Sequence, residues 1–264
     1  MGKSTKYVAK IPDANGYIHY TEEENETWNI LITRQKQALP GKACDEFLEA
    51  LDIMQFPEDR VPQCEDISKI LRKATGWEVA PVPALINFPR FFGLLANKRF
   101  PAASFIRTRD ELNYLQEPDI FHELFGHTPL LTDERFAAFT HAYGRAGVMA
   151  TRKQQMMLAR LYWFTVEFGL MRNANGLKTY GAGIVSSIGE TEYALTDESV
   201  IRKPFDPIDM LRTPYRIDIY QPIYFEIESL DQLFELAQED LLGLIAEAER
   251  LGMHDPVYPP KEAA

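Results

Sequence analysis

The run Pro118-Asp119-Ile120-Phe121-His122-Glu123-Leu124-Phe125-Gly126-His127-Thr128-Pro129 decides how this chain is read. The 264-residue sequence has five histidines, and two of them fall here within six positions. A carboxylate nearby would complete a two-histidine, one-carboxylate set, which grips a metal on one face and leaves its other positions open for chemistry. The zinc-protease pattern His-Glu-x-x-His puts its imidazoles four residues apart on one helix face, whereas this run reads His-Glu-x-x-x-His. On a straight α-helix a five-residue step leaves the two side chains roughly 140° apart. Rings so disposed cannot share one ion at about 2.1 Å. The helix is therefore expected to end or bend between them. His122 would lie in its last turn and His127 just past it, with Gly126 as terminator and Thr128-Pro129 preventing continuation. Either histidine alone reads as a capping or packing residue, but the pair, with this placement of Gly and Pro, reads as a metal site.

The third ligand must be found among 39 acidic residues, most of them on polar faces. Glu167 stands apart, because it sits in Leu161-Tyr162-Trp163-Phe164-Thr165-Val166-Glu167-Phe168-Gly169-Leu170, an almost wholly apolar helical segment. Such a helix is buried on all sides, and a buried carboxylate tends to protonate unless it meets a cation. An ion pair with Arg160 or Arg172 would satisfy it; a metal shared with the two histidines is the better reading. Trp163, one turn earlier, is expected to line the same cavity. Glu123 follows His122 directly and would point away from the metal on a regular helix, toward a supporting or cosubstrate role. Asp119, one turn before His122, is placed to orient a histidine ring nitrogen or a substrate amine.

Outward from these segments the pattern is mainly helical with a small β component, an α+β class. Thr21 and Glu24 form a capping box opening a helix from Glu22 to about Leu39, behind an irregular arm over residues 1–20. Helical spacing continues through Phe47, Leu48, Leu51 and Met54, and through Ile67, Ile70 and Leu71 up to Gly76. Further helices are expected over Phe88–Asn97, Asp119–Phe125, Asp133–Arg145 (capped by Thr132), Gln154–Met171 and Leu230–Leu251, the last ended by Gly252. Phe105-Ile106-Arg107 suggests a brief extended piece, and Tyr180-Gly181-Ala182-Gly183-Ile184-Val185 a strand or turn. Tyr215 to Glu228 alternates around Pro222 and suggests a two-stranded ribbon at the edge of the domain.

Composition excludes several classes. The formal charge of −11 argues against nucleic acid or an anionic membrane as partner. No run of about 18 apolar residues exists, so no membrane-spanning helix is expected, and the N-terminus lacks the apolar core of a signal peptide. Cys44 and Cys64 are too few for a disulfide framework, which fits a cytoplasmic protein. With neither repeat nor long linker, residues 1–264 are expected to form a single catalytic domain.

Three segments then point to a family. Glu117 to His127, Tyr162 to Leu170, and Tyr180-Gly181-Ala182-Gly183-Ile184-Val185-Ser186-Ser187-Ile188-Gly189-Glu190 together resemble, in order and spacing, the pterin-dependent aromatic amino acid hydroxylases. The resemblance runs from about Phe91 to Glu228, more weakly outside, and is closest to short bacterial members that are essentially the catalytic domain alone. It implies ferrous iron held by His122, His127 and Glu167, a tetrahydrobiopterin or related reduced pterin as two-electron donor, and dioxygen as oxidant. By the same match Phe91 stacks on the pterin, Ala84 and Ile86 meet its edge, and Glu123 and Tyr162 lie on the pterin side of the iron. Arg107 matches the arginine that pairs with the substrate carboxylate, a bidentate task suited to a guanidinium. Tyr114, Asp119, Trp163 and Ser186 match the rest of the substrate pocket. Without the match, Phe91 would be read as a core ring and Arg107 as a surface charge.

The chain departs from animal members in carrying Leu115-Gln116 where they have Thr-Pro, which removes a hydroxyl contact to substrate. No counterpart of their regulatory domain or tetramer-forming coiled coil is expected, and Val257 to Ala264 shows no heptads, so a monomer is expected. Ile217 stands where tyrosine-specific relatives carry an acidic residue, which favours L-phenylalanine as substrate and L-tyrosine as product. Tryptophan or tyrosine hydroxylation on the same scaffold is the alternative. A zinc hydrolase with a two-histidine, one-glutamate site is a more remote one, disfavoured by the five-residue step.

Overall fold

The computed structural model describes residues 7–113, 115 and 117–258. Helices come first: α1 (Glu22–Ala38), α2 (Asp45–Met54) and α3 (Cys64–Ala74) precede strand β1 (Glu78–Val82), helix α4 (Phe88–Leu95) and strand β2 (Arg99–Ala103). The two histidines lie in a π-helical segment, His122–His127. Helices α5 (Glu134–Met149) and α6 (Arg152–Tyr162) follow, and α6 runs directly into a second π-helical segment, Trp163–Glu167. Strands β3 (Gly169–Asn173) and β4 (Gly176–Thr179), short helix α7 (Ala182–Val185), α8 (Ile188–Thr196), β5 (Ile201–Pro204), α9 (Pro207–Arg212), β6 (Ile223–Ile227), α10 (Leu230–Leu236) and α11 (Leu241–Leu251) complete the chain.

Local chemistry accounts for most boundaries. The capping box at Thr21 forms, with Thr21 N–H donating to Glu24 at 2.6 Å. Asp133, rather than Thr132, caps α5, accepting from the backbone N–H of Arg135 and Phe136; a carboxylate satisfies two orphan donors where a hydroxyl would meet one. Helix α6 does not reach Met171. It widens at Trp163, ends at Glu167, and the chain becomes β3, because Leu170 and Met171 are buried as strand residues between β4 and β6. The expected Leu230–Leu251 helix is two helices, interrupted at residues 237–240.

Four strands form a sheet in the order β4-β3-β6-β5. Strand β3 pairs antiparallel with β4 (Leu170 opposite Thr179) and parallel with β6 (Gly169 opposite Phe225), while β5 pairs parallel with β6 (Ile201 opposite Ile223). The Tyr215–Glu228 stretch is therefore no edge ribbon. Its second half is an inner strand, β6, and its first half is irregular. A separate parallel pair joins β1 to β2, while Phe105–Arg107 lies outside any strand.

One continuous buried cluster runs from Trp28 to Ala248. Phe121 and Phe125, which flank the first histidine, stack at 4.9 Å, and Trp28 meets Phe121 edge-on at 5.3 Å. Burial of one such ring contributes about 2–3 kcal/mol, so the histidine-bearing segment is anchored on the core side by its own aromatic neighbours.

Candidate metal centre and substrate pocket

The expected break between His122 and His127 is not how the protein solves the spacing problem. In a π-helix the backbone bond runs from residue i to i+5, so a five-residue step returns to the same face. The chain stays helical through Gly126, and both imidazoles face one point. Gly126 is thus a contact glycine and not a terminator: a Cβ there would sit 2.9 Å from the Ala182 carbonyl oxygen and 3.2 Å from the Ala182 Cβ. Gly181 serves the opposite wall, where a Cβ would lie 2.4 Å from the Glu167 carbonyl oxygen. The glycine-punctuated 180–185 motif is accordingly a helical turn, α7, wedged between the two π segments.

His122 Nε2 and His127 Nε2 are 3.0 Å apart, Glu167 Oε1 is 3.2 Å from His127 Nε2, and Glu167 Oε2 is 3.5 Å from His122 Nε2. Three donors bound to one ion at about 2.1 Å, with angles between octahedral and tetrahedral, stand about 3.0–3.4 Å from one another. The His122–His127 and His127–Glu167 separations fall in this range, and the contact of His122 with the other Glu167 oxygen, at 3.5 Å, is slightly longer. Ser186 settles which nitrogen of His122 is bare. Its hydroxyl donates to the Ala182 carbonyl at 2.7 Å, so toward His122 Nδ1, at 2.9 Å, it can only accept. Nδ1 then carries the proton and Nε2 offers its lone pair. Burial lowers the His122 pKa to about 4, keeping the ring neutral. His127 is held by packing of its ring on Phe100 at 4.8 Å. Burial opposes ionisation of Glu167, but the adjacent histidines outweigh it and hold its carboxyl below the ordinary range. The bare Nε2 of His122 and the Nε2 of His127, both facing the Glu167 carboxylate, form a set of donor atoms suited to a divalent cation.

Glu123 also brings a carboxylate oxygen within 4.8 Å of ligand atoms on both histidines, closer than a regular helix would allow. Burial, and then the charge of Glu167, push its carboxyl well above the ordinary range. The Glu167 oxygens stand 3.2 and 3.5 Å from the two histidine nitrogens, so Glu123 belongs beside the triangle and not in it.

Asp119 is fully buried, and its carboxylate is already engaged. Arg107 donates to it through Nε at 2.8 Å, Nη2 at 2.9 Å and its backbone N–H at 2.9 Å, and His122 donates its backbone N–H at 3.1 Å. Asp119 therefore does not orient a histidine ring; Ser186 does that. Its effect is to aim Arg107, which spends its Nε–Nη2 edge on this pair. Three of the five guanidinium donors, on Nη1 and Nη2, remain for a second carboxylate.

Trp163 stacks on Tyr215 at 4.4 Å and 17°, and Phe91 meets Tyr162 edge-on at 5.4 Å. A cavity of about 760 Å³ opens alongside, lined by Ala84, Ile86, Phe88, Arg160 and Tyr215 among others. Ala84 and Ile86 are thus where a ligand could touch them, while His122, His127 and Glu167 are not in that cavity's wall. Tyr114 lies outside the described residues. The sequence reading passed over Tyr215 and Gln221, which hold Trp163 from the ring face and the ring edge; an aromatic next to a proline was the only signal for the first, and none existed for the second.

A family model described as biopterin-dependent aromatic amino acid hydroxylase matches residues 3–242. The chain belongs to this family. It is 54% identical over 262 residues to a phenylalanine-4-hydroxylase of Pseudomonas aeruginosa, covering 99% of this chain and 100% of that protein. The solved apo structure of the cold-active phenylalanine hydroxylase of Colwellia psychrerythraea superposes with a TM-score of 0.95 at 53% identity, covering 98% and 100% of the two chains. The Chromobacterium violaceum phenylalanine hydroxylase with bound oxidised Fe(III) superposes at 0.88 and 43% identity, covering 96% of this chain and 92% of that one. The α+β class read from the sequence holds, and a zinc hydrolase is set aside.

Proposed function

We propose that this hydroxylase converts L-phenylalanine to L-tyrosine with dioxygen, ferrous iron and a tetrahydropterin. The observation behind this reading is the His122–His127–Glu167 triangle, supported by the names of the similar proteins. Iron held there supplies the redox chemistry that joins dioxygen to the pterin's two electrons. One oxygen atom ends on the para carbon of the ring as a hydroxyl, and the other on the pterin. The protein's own part is positioning and exclusion of water. Arg107, aimed by Asp119, receives the substrate carboxylate on its remaining edge. Trp163 bounds the ring, Tyr114 is assigned to the same pocket by the family resemblance alone, and Ser186 fixes His122 at the border of that pocket. Phe91, Ala84, Ile86, Glu123 and Tyr162 face the pterin. Glu123, whose carboxyl is pushed toward its protonated form by burial, can donate a hydrogen bond to a pterin ring nitrogen or carbonyl.

The same reading takes residues 1–264 as one catalytic domain acting as a monomer in the cytoplasm. Two free, buried cysteines fit a reducing compartment, and among the described residues no helix is long and apolar enough to cross a membrane. Light scattering of the eluted peak tests the monomer.

The deciding assay is aerobic turnover of purified protein with Fe(II), a tetrahydropterin and phenylalanine, with product read by chromatography. Tyrosine that disappears in Glu167→Gln supports the proposal. Pterin oxidation without tyrosine, followed by hydroxylation when tryptophan or tyrosine replaces phenylalanine, would move the substrate, and absence of pterin oxidation with iron bound would refute the reading.

A further inference from the structure

Gln221 lies in the irregular stretch just before β6, only 2% exposed, and nothing in its sequence context marks it. Its side chain is nevertheless fully engaged. Oε1 accepts the Trp163 Nε1–H at 3.0 Å, and Nε2 donates to the carbonyls of Arg216 and Ile219, each at 2.9 Å. An indole can only donate, and a carbonyl can only accept. The amide therefore has one allowed orientation, since a flip would set N–H against N–H and oxygen against two carbonyls. Its backbone N–H donates to Glu190 Oε1 at 3.3 Å, the same oxygen that receives the Tyr224 hydroxyl.

This amide joins two parts of the site that are 58 residues apart in sequence. One is the π segment that begins at Trp163 and ends at Glu167. The other is the 215–221 stretch, which supplies the Tyr215 ring stacked on Trp163 and carries exposed Ile217. Tyr215 stacks on the indole and Phe168 packs against it at 4.5 Å, tilted by 41°, but neither contact is directional. The bond from the indole edge to Gln221 is, and it fixes the rotation of the ring within its plane.

Resting on the proposed phenylalanine hydroxylation, we propose that Gln221 is a positioning residue that locks the Trp163 indole and so sets the fit of the aromatic ring and the coupling of pterin oxidation to hydroxylation. A ring that is held loosely misses the oxidant, and pterin is then consumed without product.

The test is Gln221→Met, which keeps length and apolar bulk but removes all three bonds, measured with and without Trp163→Phe. Loss of one buried hydrogen bond is expected to raise the phenylalanine KM about tenfold, lower the tyrosine formed per pterin oxidised, and leave the pterin KM near that of wild type. In the Trp163→Phe background, which has no indole N–H, the further effect of Gln221→Met should vanish. Trp163→Phe alone removes the same indole bond while leaving the Gln221 bonds to the Arg216 and Ile219 carbonyls in place; it should also lower the tyrosine formed per pterin oxidised, and it serves if the Met variant does not fold. A Gln221→Met effect that persists undiminished in Trp163→Phe, or a fall in melting temperature with KM and coupling unchanged, would overturn the proposal. Failure of wild type to make tyrosine would instead refute the function on which it rests.

Discussion

Ser186→Ala removes a single oxygen at the edge of the metal triangle, and its effect can be worked out from the bonds on each side. The Ala182 carbonyl keeps its bond from the Ser186 backbone N–H at 3.1 Å, so it is not orphaned. His122 Nδ1–H, by contrast, loses its acceptor at 2.9 Å. A buried donor left unpaired costs about 1–3 kcal/mol. That cost can be relieved only by rotation of the ring or by moving the proton to Nε2, and both spoil the ligand. Loss of an outer partner of a metal-bound histidine lowers metal affinity by about 10- to 100-fold, which matches the same energy range. Titration of the metal-free protein with Fe(II) under anaerobic conditions, or with Co(II) followed by its visible absorption, reads the change directly. The metal-free melting temperature should move little, because without an ion the ring can shift its proton to Nε2, toward His127 Nε2 and Glu167, and so avoid that cost. An Ala variant that binds metal as tightly as wild type would show that the hydroxyl does not set the tautomer.

Other consequences are open to equally direct measurement. Arg107→Lys keeps a charge but cannot serve Asp119 and a substrate carboxylate at once; the phenylalanine KM should rise by about 100-fold, with pterin binding by calorimetry unchanged. Gly126→Ala drives a Cβ into the Ala182 carbonyl at 2.9 Å, so denaturant unfolding should show a loss of about 1–3 kcal/mol. Burial raises the Glu190 pKa to about 7, despite hydrogen bonds from Tyr224 and Gln221 that pull it down. A carboxyl whose folded pKa exceeds its unfolded value stabilises the fold at low pH and loses that contribution as pH rises from about 4.5 to about 7. Glu190→Gln should therefore gain on wild type between pH 5 and 8 by up to about 3 kcal/mol; parallel stability curves for the two proteins would contradict this.

The metal ligands were legible because their chemistry is unusual for their surroundings: two of five histidines lie close together, and one carboxylate sits in an apolar run. The way they converge was not. Propensity rules describe α-turns and their ends, and a widened turn stabilised by Phe121 and Phe125 packing into the core has no signature in local sequence. The same limit hid the change from helix to strand at Phe168, since Leu170 and Met171 suit a buried helix as well as a buried strand. The inner position of β6 depends on pairing with β3 and β5, more than 20 residues away in sequence, which no alternating pattern around Pro222 could disclose. Arg107 and Asp119 were found as individuals, through resemblance. That they form one unit, with Asp119 committed to Arg107, follows only from the fold.

The triangle has a mechanical side as well. His127 and Glu167 are separated by α5 and α6, and each sits at the end of a widened turn. An ion bound at the triangle would act as a cross-link closing that whole helical excursion into a loop. Closing a loop of some 40 residues restricts the unfolded chain by about 4 kcal/mol on the scale used for disulfides, before any contribution from the coordination bonds. The reagent of the reaction and the clasp of the scaffold would then be the same atom. Chelation should release α5 and α6 together, as one exchange-labile unit, while α1 and α2, whose Trp28 and Phe47 meet Phe121 and Phe125, keep their amide protons.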